Sequence, residues 1–143
     1  MTHIYITVEA QELIWGRIVN SEVIHQHFGY WPTFISAEIV KVVFETHVTR
    51  RYSATFVIDP YRAAYGNRSP HQDATDCFIE IQFTGIQEMA FASFRAQNVI
   101  EELWFEEQGS LIVAHFDSHN KVQTKIMAEE AIVLSLVPKS NEK

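Results

Sequence analysis

Apolar and polar residues alternate along most of this chain, and a period of two marks strands with one buried face. In residues 77–83, CFIEIQF, Ile79, Ile81 and Phe83 fall on one side and Glu80 and Gln82 on the other. Residues 37–46, AEIVKVVFET, and 53–58, SATFVI, predict a hairpin around Thr49-Arg50-Arg51. Residues 99–107, VIEELWFEE, put Val99, Leu103 and Phe105 on one side and Glu102, Trp104 and Glu106 on the other, with Glu101 interrupting the apolar row. The pair Gln108-Gly109 then turns the chain into LIVAHFD, residues 111–117, a second hairpin. The tail offers residues 121–127 and 131–137, ended by Pro138, and the acid pair Glu129-Glu130 between them suits a bulge that bends one long strand.

One segment follows the helical period instead. Asn20 or Ser21 can cap its start, and Val23, Ile24, His27 and Phe28 recur at helical spacing until Gly29 stops it. The spacing predicts a helix over residues 20–28, and a further helical turn near Ala10 to Trp15. Residues 60–76, with two Pro and the turn formers Gly66, Asn67, Ser69 and Asp73, predict a long exposed loop.

These elements predict a mainly β (α+β) fold, an antiparallel meander sheet or sandwich of about seven or eight strands with one short N-terminal helix. The expected core contains Phe28, Trp31, Phe34, Val40, Val42, Phe44, Phe56, Ile79, Ile81, Phe83, Phe91, Leu103, Phe105, Ile112, Ile132 and Leu134.

At 143 residues the chain is read as a single domain, 1–143. Hydrophobic residues make up 47% of it, which excludes disorder as the main state and supplies a core without staples. The one cysteine, Cys77, rules out an internal disulfide and a Cys-rich zinc site. Eighteen acids against eleven Lys and Arg give a net charge of −7. That balance disfavours nucleic acid and suits a basic partner. No apolar run reaches membrane-spanning length, and MTHIYITVEA lacks the basic segment of a secretory leader, so no membrane association and a cytoplasmic location are expected.

No phosphate loop, metal-binding helix motif or nucleophile elbow is present, so no catalytic residue and no cofactor are expected. Cys77 opens an apolar strand and reads as a small buried hydrophobe. Two side-chain sets stand out. The acids Glu101, Glu102, Glu106 and Glu107 flank Trp104, and Glu102, Trp104 and Glu106 share a face that could meet a basic partner, unless it is only a solvated sheet face. His115, Asp117 and His119 would share a strand face and form a weak metal candidate, although Asp117-Ser118-His119-Asn120 is also a run of turn formers. His25 and His27 lie about 200° apart on a helix and make poor co-ligands. The aromatic run His27 to Phe34 reads as a plug against the sheet, with a ligand pocket around Trp31 as the alternative.

The run FGYWPTFISAEIV is similar to a bacterial signature, F-G-x-W-P-x-F-H-D-A-E followed by Ile or Val. The block IQFTGIQEMAFASFRAQNVIEELWFEE resembles that family's central pattern, F-x-G, then spaced Leu residues, then F-N-x-Q-N-V. The end, FDSHNKVQTKIMAEEAIVLSLVP, follows its closing strand and final V-x-P. On these residues, about 18–138, the chain resembles the immunity protein 50 family of bacterial polymorphic-toxin immunity proteins. The matching positions include Phe28, Gly29, Trp31, Pro32, Phe34, Glu38, Phe83, Gly85, Gln97 and Asn98. The resemblance implies a non-enzymatic protein that neutralises a cognate toxin domain by binding it. Two departures, Ile35-Ser36 in place of His-Asp and Arg95 in place of Asn, fit a structural signature better than a shared catalytic site. Phe28, Gly29, Trp31, Pro32, Phe34, Glu38, Gln97 and Asn98 are accordingly expected to be architectural. The alternative function is a small-molecule or metal-binding β-domain, with an enzyme as one form of it, using His115, Asp117 and His119 or the aromatic cluster around Trp31. A homodimer through a strand edge is a further possibility.

Overall fold

The structure is a computed structural model, and it describes residues 14–29, 34, 37–46, 51–60, 77–90, 100, 102–117 and 124–138. The single described helix of full length, α1, is Glu22–Phe28. Six strands follow: β1 Glu38–Thr46, β2 Tyr52–Asp59, β3 Cys77–Ala90, β4 Glu102–Gln108, β5 Leu111–Asp117 and β6 Thr124–Pro138. They form one open antiparallel sheet in the order β1-β2-β3-β6-β5-β4. Two three-stranded meanders, β1-β2-β3 and β4-β5-β6, are thus joined through the long β3–β6 pair.

The described strands number six because the two tail segments are one strand. β6 runs straight through Glu129-Glu130, and its buried positions change parity there, from Ile126 and Ala128 to Ala131 and Val133. β3 changes parity at the facing point, from Phe83 to Ile86 across Gly85, whose φ is +67. The left-handed Gly85 therefore bends β3 rather than ending it, so β3 reaches Ala90 and not residue 83.

The same phase changes correct the expected core. Ile132 pairs with Gln82 on the outer face, and Leu134 is the extra residue at a register shift, 41% exposed. Val40 is the extra residue of a bulge in β1 and also points out, leaving Ile39 to enter the core. Val42 is only partly buried against the core, and Phe44 is 49% exposed. Phe28, Phe34, Phe56, Ile79, Ile81, Phe83, Leu103, Phe105 and Ile112 are buried as expected. Trp31 and Phe91 lie outside the described residues.

The sheet is strongly curled. Phe56 of β2 stacks on Phe116 of β5 with ring centroids 4.6 Å apart. Those strands are three places apart in the sheet, about 14 Å if it were flat. Only a sheet wrapped around its core face brings the rings together. At one corner the wrap nearly closes, since the Ile100 N–H before β4 donates to the Ala37 carbonyl before β1.

The N-terminal segment covers the concave side. Trp15, Ile18, Ile24, Phe28 and Phe34 are buried there, and Trp15 meets Phe105 edge-on at 5.1 Å. Val19 anchors the segment by exchanging backbone hydrogen bonds with Ala131 and Val133 of β6. Neither expected cap acts as one. The Ser21 hydroxyl donates back to the Trp15 carbonyl, and the Asn20 amide donates to the Val133 carbonyl. At the other end Gly29, φ 85, stops the helix with its N–H on the His25 carbonyl. Of the signature residues, Phe34 is buried at φ +63, an uncommon backbone for an aromatic, and Glu38 opens β1 opposite Asp59. Pro32, Gln97 and Asn98 lie outside the described residues.

Candidate functional site

The β4–β5 hairpin builds the site. Gly109, φ +63, allows a two-residue turn that sets Gln108 opposite Leu111. Counting back along the ladder puts Trp104 opposite His115 and Glu106 opposite Val113, with Glu102 opposite Asp117. Leu103 and Phe105 point into the core, so Trp104 and Glu106 fall on the convex face.

The side chains there interlock. The Trp104 indole and the His115 imidazole stack, with centroids 4.0 Å apart and planes 9° from parallel. His115 Nε2 donates to Glu106 Oε2 at 2.7 Å. The Trp104 Nε1–H donates to Asp117 Oδ2 at 3.2 Å. Each ring is therefore oriented by a carboxylate, and the two rings orient each other. Val113 is fully buried between Glu106 and Met127 in the register, and Lys125 lies across from His115 on β6. The His115 side chain is 15% exposed and that of Glu106 is 36% exposed. The result is an interlocked aromatic step with carboxylates on two sides.

Two sets that the sequence offered separately thus become one. Trp104 and Glu106 come from the acidic strand, and His115 and Asp117 from the candidate metal set. The signal that joins them was present: a two-residue turn at Gly109-Ser110 fixes which residues face each other. Glu107 goes elsewhere. It lies on the opposite side of β4, where Arg17 Nε donates to its Oε2 at 2.7 Å and Arg17 also reaches the Ser110 carbonyl. The Glu102 side chain and His119 lie outside the described residues. Among the described residues no three His, Cys, Asp or Glu side chains are grouped to hold a metal ion. Cys77 is buried, with its Sγ 3.4 Å from His27 Nε2. Trp31 of the aromatic cluster is outside the described residues.

The model of the family described as Immunity protein 50 matches residues 20–138, nearly the whole chain. The chain belongs to the immunity protein 50 family. No curated protein and no solved structure matches it. The match on this immunity protein 50 chain covers α1, all six strands and the whole Trp104 step. Among the described residues no helix is long and apolar enough to cross a membrane.

Proposed function

We propose that this protein neutralises a cognate toxin domain by direct binding, with no turnover of its own, and that the convex face around Trp104, Glu102 and Glu106 meets a basic surface of that toxin. Membership of an immunity-protein family carries the reading. The net charge of −7 supports a basic partner. The Trp104–His115 stack supports the location, because a Trp already held by its neighbours loses little rotamer freedom on binding. Glu107, tied to Arg17 on the other side, is a structural contact in this proposal and not part of the interface.

Blocking needs shape and charge complementarity alone. The aromatic step would anchor the complex and set its lifetime, while the carboxylates would steer association. The test is binding kinetics against the toxin domain encoded in the adjacent coding region. Trp104→Ala is expected to speed dissociation by about 30-fold, the size of a hot-spot contact. Glu106→Lys is expected to slow association. Salt should shrink that second effect, since the Debye length falls from about 10 Å at 0.1 M to about 3 Å at 1 M. Unchanged kinetics in both variants, with binding intact, would move the interface off this face. Absence of any binding to the adjacent toxin domain would sink the immunity reading itself.

A further inference from the structure

β3 is longer than the strand beside it. Its pairing with β2 ends at Ser53 opposite Thr84, and β2 itself ends at Tyr52. β3 continues for Ile86 to Ala90, paired to β6 through Ile86, Glu88, Met89 and Ala90. On its other side these residues have no neighbouring strand among the described residues. The end of β1 at Phe44 to Thr46, the adjoining Tyr52 and Ser53 of β2, and this overhang line a groove of about 390 Å³. That volume is within the range of about 300–1,000 Å³ usual for ligand clefts.

The lining is unusual for this molecule. Three of the six exposed large hydrophobic residues among those described converge here: Phe44, Tyr52 and Met89, which are 49%, 53% and 37% exposed. The register puts Phe44 and Met89 on the concave side, beyond the part covered by Trp15 and α1. Glu45 and Glu88 supply the charge of the lining, and neither is in an ion pair among the described residues. The Gln87 side chain, also in the lining, donates to the Gly85 carbonyl.

We propose that this notch takes an extended segment of a partner protein that alternates apolar and basic residues, added as a strand along Glu88 to Ala90. Among the described residues no strand pairs with this edge, and an extended chain satisfies the backbone groups of such an edge where a helix does not. The apolar side chains of the segment cover Phe44, Tyr52 and Met89, and its basic side chains meet Glu45 and Glu88. A second copy of this chain is the wrong occupant, because it brings the same two acids and another charge of −7. Phe44, Tyr52 and Met89 lie on the opposite face of the sheet from the Trp104 step; Glu45 and Glu88 share its face but stand on β1 and β3, with β6 between them and the β4–β5 hairpin, so this assignment stands whether or not the toxin binds there.

The probe is a short synthetic peptide alternating Lys and Leu, titrated into the isotope-labelled full chain and followed by backbone amide shifts. Two companion peptides carry Glu in place of Lys, or N-methyl groups on alternate backbone amides. The Lys peptide is expected to shift the amides of Glu88 to Ala90, and the other two to leave them unmoved. The double variant Glu45→Lys/Glu88→Lys, at exposed positions that leave the fold intact, should weaken binding by about tenfold, or about 1.4 kcal/mol. Met89→Ser, with the acids retained, should also weaken it. The proposal is overturned if no shift occurs up to about 1 mM peptide, if the Glu or N-methylated peptide binds as well, or if the shifts fall only around Trp104.

Discussion

Two glycines share a backbone conformation but not an environment, and together they separate strain from crowding. Gly85 and Gly109 have φ values of +67 and +63. An added Cβ at Gly109 meets nothing within 4 Å. At Gly85 it would stand 2.5 Å from Glu129 Oε1 and 2.8 Å from Arg51 Nη2. Those two groups form an ion pair, at 3.0 Å, that crosses over Gly85 from the start of β2 to β6. The left-handed backbone costs alanine about 1–2 kcal/mol. Reduced freedom of the unfolded chain returns about 0.4–1 kcal/mol of that. Gly109→Ala should therefore lose between about 0 and 1.6 kcal/mol.

Gly85→Ala pays the same strain and must also push the Glu129 carboxylate aside. Both members of the ion pair are half-exposed, so losing it costs at most about 1 kcal/mol. The Gln87 to Glu129 hydrogen bond, 3.3 Å, goes with it. Gly85→Ala should lose about 1 kcal/mol more than Gly109→Ala. Urea unfolding reads the difference as a midpoint shift at unchanged slope. In a Glu129→Ala background the excess should vanish, because the obstructing carboxylate is gone. Equal losses for the two glycines would refute the crowding argument. An excess that survives Glu129→Ala would place its origin in the backbone of β3 instead.

Phe83→Ala should cost about 3–5 kcal/mol in the same assay, because the ring is fully buried against Phe56 and Phe116; a loss under about 1 kcal/mol would contradict that packing. Thr84 Oγ1 is buried without a hydrogen-bond partner among the described residues, so Thr84→Val should be neutral or stabilising by up to about 1 kcal/mol, and a clear loss would mean the hydroxyl is satisfied. Arg17→Ala should lose about 1 kcal/mol or less, since its pair with Glu107 is partly solvated; a double-mutant cycle with Glu107→Ala isolates the pair.

Much of the fold was legible because strand alternation survives wherever the sheet is regular. β5 has the expected bounds, Leu111–Asp117, and the turn at Gly109 was fixed by residue type alone. What escaped were the irregularities. Alternation carried across Val40, Gly85 and Glu129-Glu130 assigns the wrong face at these irregularities, which is why Val40, Ile132 and Leu134 were misplaced. Phe44 does follow the core side, but nothing in a local pattern tells how far a covering segment extends. The Trp104 step was half legible. Its members could be named from the sequence, but their union required the pairing register, and the role of Glu107 required its contact with Arg17, ninety residues away.

The strand order also governs how this protein comes into being. β6 follows all the other strands in the chain yet lies at the centre of the sheet, between β3 and β5. During synthesis the first three strands can pair as one meander and β4 with β5 as a hairpin, but these two halves share no strand contact until β6 arrives. The Phe56–Phe116 stack, the curl and the concave core all wait for that insertion. Most of the stabilising contacts are therefore long-range, and folding should be slow for a domain this small. A ribosome-bound chain lacking residues 124–138 would expose the inner edges of β3 and β5 and most of the aromatic core. The finished sheet thus depends on β6, and loss of that strand would leave the two halves without a shared strand contact.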